Sequence, residues 1–253
     1  MDDKSCPRCR DTGWVIDPQS GKRTAVRCPC LTERRAELLL ERSKIPLRYH
    51  NCSFTNYESH HPSQGAALKL ARKFVEKFDP ESSLGLLLIG PCGVGKTHLA
   101  VGLLCEVMKT RGASGLFYDF RELLRDIQAT FSPDSDLRES DILAPVFESQ
   151  VLVLDELGAQ RSSAWVEDTV FYIINNRYNR KKVTVFTSNY LDSDEDETEK
   201  PSEFKKENLF KKDETLADRI GIRLRSRIYE MCKVVLIDGP DYRRKHKQAG
   251  YRF

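Results

Sequence analysis

The sequence predicts an α/β fold: a central parallel five-stranded sheet flanked by helices, with a small cysteine-rich module ahead of it. Three observations carry that expectation. Short runs of aliphatic and β-branched residues recur along the chain, apolar at successive positions and not at alternate ones, as in strands buried on both faces. Segments with apolar residues at helical spacing separate these runs, and such alternation specifies parallel pairing through right-handed crossovers. The third is the opening stretch "CPRCRDTGWVIDPQSGKRTAVRCPC", Cys6 to Cys30, which holds four of the eight cysteines.

Size and charge set the bounds. A chain of 253 residues with 40% hydrophobic content can bury one good core plus a small appendage. No stretch approaches the roughly 18 uncharged apolar residues of a membrane span, and no apolar run follows the first charges. The expectation is a soluble, unexported, cytoplasmic chain with no membrane partner. In a reducing compartment thiols rarely pair, so clustered cysteines point to metal and away from a disulfide scaffold. The net charge of +3 hides segregation: "DSDEDETE" after Leu191 is acidic, and "DYRRKHKQAGYRF" at the C-terminus is basic.

In chain order, Cys6-x2-Cys9 and Cys28-x-Cys30 supply four thiolates, enough for a closed tetrahedral zinc site, with Pro7 and Pro29 stiffening the knuckles. The alternative is a set of free thiols. The roughly 20 residues between the knuckles cannot bury a useful core, so metal would supply much of their folding energy. After Cys30, "LTERRAELLLERSK" places Leu31, Leu38, Leu39 and Arg42 on a helical pattern that ends before Pro46. Residues 1–44 therefore read as module and connector, and 45–253 as the main domain. "HHPSQGAALKLARKFVEKFDP" is a packed helix stopped by Pro80.

Five strands follow: "LGLLLIG" from Leu84, "GLFYDF" from Gly115, "VLVLDE" from Val151, "VTVFTSN" from Val183 and "VVLID" from Val234. Between them lie helical patterns in "THLAVGLLCEVMKTRG", "RELLRDIQATF", "WVEDTVFYIINNRYNR" and "ADRIGIRLRSRIYEM". The periodicity fails over 191–214, an acidic block followed by interspersed lysines, which reads as a mobile surface insertion or an acidic docking strip.

"GPCGVGKT", Gly90 to Thr97, follows a strand and opens a helix, the context a phosphate loop needs. Glycines at 90, 93 and 95, with Pro91, Cys92 and Val94 between them, let successive N–H groups point at an anion. Lys96 is placed to reach the β- and γ-phosphates of ATP, and Thr97 to hold Mg2+. A second acid must come from the end of a neighbouring strand, and "VLVLDE" delivers it: Asp155 for the Mg2+ ion, Glu156 to polarise the attacking water. Asn189, ending "VTVFTSN", is a candidate partner for the γ-phosphate or the water. In "ADRIGIRLRSRIYE" helical spacing sets Arg219, Arg223 and Arg227 along one face, reaching toward a neighbour's phosphate or simply solvated.

Taken together these segments resemble the AAA+ ATPases of the DnaC/DnaI helicase-loader and IstB transposition-helper group, over about Ile45 to Arg243. "IPLRYHNCSF" is similar to their segment near the adenine, "GVGKTHLA" to their extended Walker A including His98, and "VLVLDELG" to their Walker B. "INNRYNRKKVTVFTSN" resembles their sensor 1 segment, and "IRLRSRIYEMCKVVLIDGPDYR" their arginine-finger stretch and final strand. The resemblance implies an ATPase that turns ATP into ADP and phosphate, with Arg227 as the trans-acting finger and Arg243 as a sensor-2-like arginine. It also implies self-assembly through the ATP site, a hexameric replicative helicase as partner, and single-stranded DNA, for which "YDFRELLRDI" with Arg121 and Arg125 is the candidate strip unless it is a plain packed helix. Similar cysteine-rich modules in some loaders suggest a grip on that partner. Two rivals stand beside the loader: a transposition helper, and a zinc-dependent DNA-binding protein using ATP as an assembly switch.

Overall fold

The computed structural model describes residues 6–10, 12–16, 24–81, 84–191 and 215–246. The insertion expected at 191–214 lies outside the described residues beyond Leu191, as does the basic tail beyond His246. Between the knuckle cysteines, β1 (Trp14–Ile16) and β2 (Ala25–Arg27) form an antiparallel hairpin, which leads into helix α1 (Pro29–Arg42). The helix starts two residues earlier than periodicity suggests, because Pro29 at its first position has no N–H to lose there.

Helix α2 (Pro62–Glu76) precedes strand β3 (Gly85–Ile89) and the phosphate-loop helix α3 (Lys96–Arg111). Then come β4 (Gly115–Asp119), α4 (Phe120–Ala129), α5 (Glu139–Glu148), β5 (Val151–Asp155), α6 (Ala164–Asn179) and β6 (Val183–Ser188). Past the undescribed segment, α7 (Leu216–Ile220), α8 (Ile222–Met231), β7 (Cys232–Leu236) and α9 (Tyr242–His246) complete the domain. Periodicity leaves α5 unassigned, since Pro145 interrupts its interior and obscures the helical signal.

The sheet is parallel throughout, in the order β4-β5-β6-β3-β7. Alternate residues of β3 divide between two cores: Leu87 and Ile89 pack among α4 to α8, and Leu86 and Leu88 among α2 and α3. Helix α3 is buried nearly all round, since α1 and α2 cover the side that the sheet does not. The order puts β3 beside β6, with β5 next in line, so the C-terminal ends of these strands open at one edge, where open α/β sheets bind ligands. No helix among the described residues is long and apolar enough to cross a membrane.

One expectation fails. The predicted continuous helix over 217–231 breaks at Gly221, whose φ of +83° no helix accepts, so Arg219 lies on α7 and does not extend the row of Arg223 and Arg227 on α8.

The largest fully buried side chain is an arginine, Arg177 on α6. Its guanidinium donates to the carbonyls of Val146, Ser149 and Val183 and to Thr184 Oγ1, stapling the α5–β5 turn to the start of β6. Burial pulls its pKa down to about 9, and the fan of carbonyl acceptors is what holds the cation in place. Replacing Arg177 by Ala removes that donor from three buried carbonyls and leaves a cavity, and is expected to destabilise the fold by about 3 kcal/mol or more. Urea unfolding should show the midpoint fall with an unchanged slope.

Candidate functional site

The phosphate loop spans the turn from β3 into α3, and its shape is held by contacts from three directions. Gly90 N donates to Ser188 O of β6 (3.2 Å), and Tyr242 N donates to Gly93 O (3.1 Å). The Val94 carbonyl accepts from the buried amide of Gln64 (3.1 Å) and from Tyr57 Oη (3.4 Å). A Cβ on Gly93 would stand 2.0 Å from Asp241 Oδ1, so the C-terminal "PDYR" turn seats directly on the loop. His98, one residue beyond the motif, lies 3.0 Å from both Ser53 O and Asn56 Oδ1, with its ring edge-on to Tyr57. The segment after Ile45 is thereby anchored to α3.

Four of the expected residues meet in two bonded groups. Lys96, only 7% exposed, donates to Gly90 O (2.8 Å), Pro91 O (2.7 Å) and Asn189 Oδ1 (2.7 Å). Burial lowers its pKa to about 8. Thr97 Oγ1 donates to Asp155 at 2.9 and 3.1 Å, and Thr187 Oγ1 donates to the same carboxylate at 2.6 Å. Asp155 is 3% exposed, and burial raises its pKa to about 6 against the pull of those two hydroxyls. A carboxylate kept ionised at such a place is short of positive charge, which a divalent cation supplies. Thr97 and Asp155 are the residues able to hold one; hydroxyl and carboxylate oxygens suit magnesium.

Glu156 takes a positive φ of +57° at the turn after β5, where its N–H donates to Thr187 Oγ1 (2.9 Å). Its Oε2 accepts from Arg121 Nη2 at 2.6 Å. The pair brings Arg121, expected on a DNA-facing strip, to the rim of the site. Lys96, Thr97, Glu156, Thr187 and Asn189 border one cavity of about 680 Å³, which also touches Arg48, Tyr49, Cys92, Tyr242 and Arg243, and Asp155 lies behind its wall, bonded to Thr97 and Thr187. Arg227 lies elsewhere: its guanidinium bonds Asn175 Oδ1 (2.5 Å) and sits over Phe171 and Tyr178 of α6. Thr187 and Gln64 are the contributors that motif reading missed. A threonine at the end of an otherwise apolar strand was the available sign for the first; nothing local marks the second.

The four N-terminal cysteines form a second site. Their Sγ atoms lie within 4.8 Å of one another, with Cys6–Cys28 at 3.8 Å and Cys9–Cys30 at 3.4 Å. Four thiolates around zinc at about 2.3 Å make a tetrahedron with edges of about 3.8 Å, so the cluster fits that ion. Cys28 caps α1 and Cys30 lies in its first turn, where the helix N-terminus favours thiolate. The N–H groups of Cys9 and Arg8 bring the Cys6 pKa down to about 6, while burial and the surrounding thiols push Cys30 up. Thiolates held this close repel one another, and a cation among them offsets that repulsion.

Residues 30–250 match the family model described as IstB-like ATP binding protein. The chain is 26% identical over 259 residues to the phage-like element PBSX protein XkdC of Bacillus subtilis, covering 98% of this chain and 87% of that one. It is 30% identical over 182 residues to the replicative helicase loader DnaC of Escherichia coli K12, covering 70% and 73%. Among solved structures, the DnaC helicase loader superposes with a TM-score of 0.63 at 34% identity, over 76% of this chain and 100% of that one. DnaI does so with 0.57 at 23% identity, over 78% and 94%, a likeness of fold. The chain belongs to the IstB-like ATP-binding protein family and carries the AAA+ domain of the DnaC helicase loaders.

Proposed function

We propose that this protein is an ATP-dependent replication factor that loads or remodels a hexameric replicative helicase on single-stranded DNA. The observation that carries the catalytic half is the convergence of Lys96, Thr97, Glu156 and Asn189 on one cavity, with Asp155 bonded to Thr97 directly behind it. Lys96 neutralises the β- and γ-phosphates, exchanging its loop carbonyls for phosphate oxygens. Gly90 to His98 cradle the triphosphate, and Asn189, already bonded to Lys96, takes the γ-phosphate or the water. Thr97 and Asp155 would hold Mg2+, which would screen developing charge when bound. Glu156 accepts the proton of the attacking water through the oxygen that Arg121 leaves open. Arg243, at the mouth of the cavity, is the sensor-2-like contact. Arg227 acts in trans on the next protomer's phosphate, presented from a cradle of α6 side chains.

The partner half rests on the similarity to DnaC loaders and on the cysteine module, which is proposed to bind zinc and to grip the helicase. The family match leaves a transposase as the competing partner.

Three outcomes test this reading. Glu156→Gln is expected to bind ATP as tightly as wild type and to lose turnover by at least about a hundredfold; unchanged turnover would leave an assembly switch as the better account. Arg227→Ala and Lys96→Ala, each inactive, should regain hydrolysis when mixed, because one supplies the intact phosphate loop and the other the intact finger. Native mass spectrometry should find one zinc per chain and an ATP-dependent complex with the helicase of its source. Cys28→Ser should lose the zinc and the complex together. A helicase that never binds, beside a transposase that does, would replace the loader by the transposition helper.

A further inference from the structure

The turn after β5, Glu156 to Ala159, carries two residues in the left-handed region, Glu156 at φ +57° and Gly158 at φ +85°. Only the second is glycine, so holding the first costs free energy that its surroundings must offset. Each of the four carbonyls in this turn has an acceptor role. Glu156 O is bonded by Ala159 N, closing the turn (2.9 Å), and Leu157 O by Ser188 Oγ (3.0 Å). The remaining two belong to one side chain: Arg219 Nε donates to Gly158 O (2.8 Å) and its Nη2 to Ala159 O (3.3 Å). The Arg219 guanidinium lies over the ring of Tyr190, 4.8 Å from its centroid, directly after Asn189. Arg219 is 8% exposed, so these bonds are made away from water. A Cβ on Gly158 would come within 3.1 Å of Arg219 Cβ and 3.3 Å of Tyr190 Cδ2, which shows how closely the three are packed.

We infer that Arg219 is a positioning residue for hydrolysis: by clamping the carbonyls of Gly158 and Ala159 against Tyr190, it holds the strained turn that aims Glu156 at the γ-phosphate. Thr187 fixes the same turn from the β6 side through the Glu156 N–H. Arg219 itself is not placed at the cavity. The arrangement asks for arginine, because two donors in a plane and a flat stacking face are needed at once, and lysine offers neither. The inference rests on Glu156 acting as the base.

The test measures Mg-ATP turnover, nucleotide affinity and thermal midpoint for Arg219→Lys, Gly158→Ala and Glu156→Gln, and for Arg219→Lys combined with Glu156→Gln. Gly158→Ala strains the turn and crowds Arg219 Cβ and the Tyr190 ring while keeping both guanidinium donors, which keeps the test meaningful if the arginine variant folds poorly. Arg219→Lys and Gly158→Ala should each lower kcat between about ten- and a hundredfold, with nucleotide affinity within about twofold of wild type. The combined variant should be no slower than Glu156→Gln alone, because the clamp acts only through Glu156. An unimpaired Arg219→Lys beside a stalled Glu156→Gln would overturn the inference alone. So would losses that multiply in the combined variant, or an affinity that collapses in step with kcat. Full turnover by Glu156→Gln would overturn the reading of Glu156 as base and the clamp with it.

Discussion

The buried carboxylate of Asp155 is the point on which the architecture turns. It ends β5, receives Thr97 from the first turn of α3 and Thr187 from β6, and so joins the phosphate loop, the acid strand and the sensor strand. A carboxylate with 3% exposure is costly to keep unless hydroxyls or a cation compensate it, and two hydroxyls converge here. The parallel register makes the meeting possible: β5 and β6 pair Val153 with Val185 and Leu154 with Phe186, which sets Asp155 opposite Thr187. A slip of one residue would turn either side chain to the other face of the sheet and undo the site.

Arginines carry much of the remaining organisation. Arg177 is fully buried and binds carbonyls at the end of α5 and the start of β6, Arg219 clamps the turn behind Glu156, Arg121 pairs with Glu156, and Arg227 nests among Asn175, Phe171 and Tyr178. A planar guanidinium with five donors satisfies several backbone acceptors and stacks on a ring at the same time. The same residues would pass in a composition count as solvated surface charge. Their engagement explains why a chain so rich in charge still packs two cores on one sheet.

The cysteine module is joined to the domain through continuous helix, since α1 begins at the second knuckle and runs to Arg42. The helix is tied to the domain along its length: Arg35, midway along it, donates to the carbonyl of Gly112, which caps α3, and Ser43 O, just past its end, accepts from Phe117 N of the edge strand β4. Lys44 then bonds Tyr118 and lies over its ring. Metal at the knuckles would therefore order the start of a helix that leans on the phosphate-loop helix, linking the appendage to the domain that binds nucleotide.

Local pattern sufficed for much of this protein. Five apolar runs became five parallel strands, Gly93 and Gly95 with Lys96 and Thr97 became part of the cavity wall, and four cysteines came together as a cluster. Strand burial, phosphate-loop chemistry and thiol spacing are each written within a few neighbouring residues, so the chain alone determines them. What only the tertiary structure decided depends on residues far apart in sequence. Gly221 breaks a helix whose periodicity looked unbroken, Arg121 pairs with Glu156, and Thr187, Gln64 and Arg219 gain their roles solely from what folds against them. Periodicity reports which face of an element is apolar; it carries no information about which polar group will meet which carbonyl once the elements are packed.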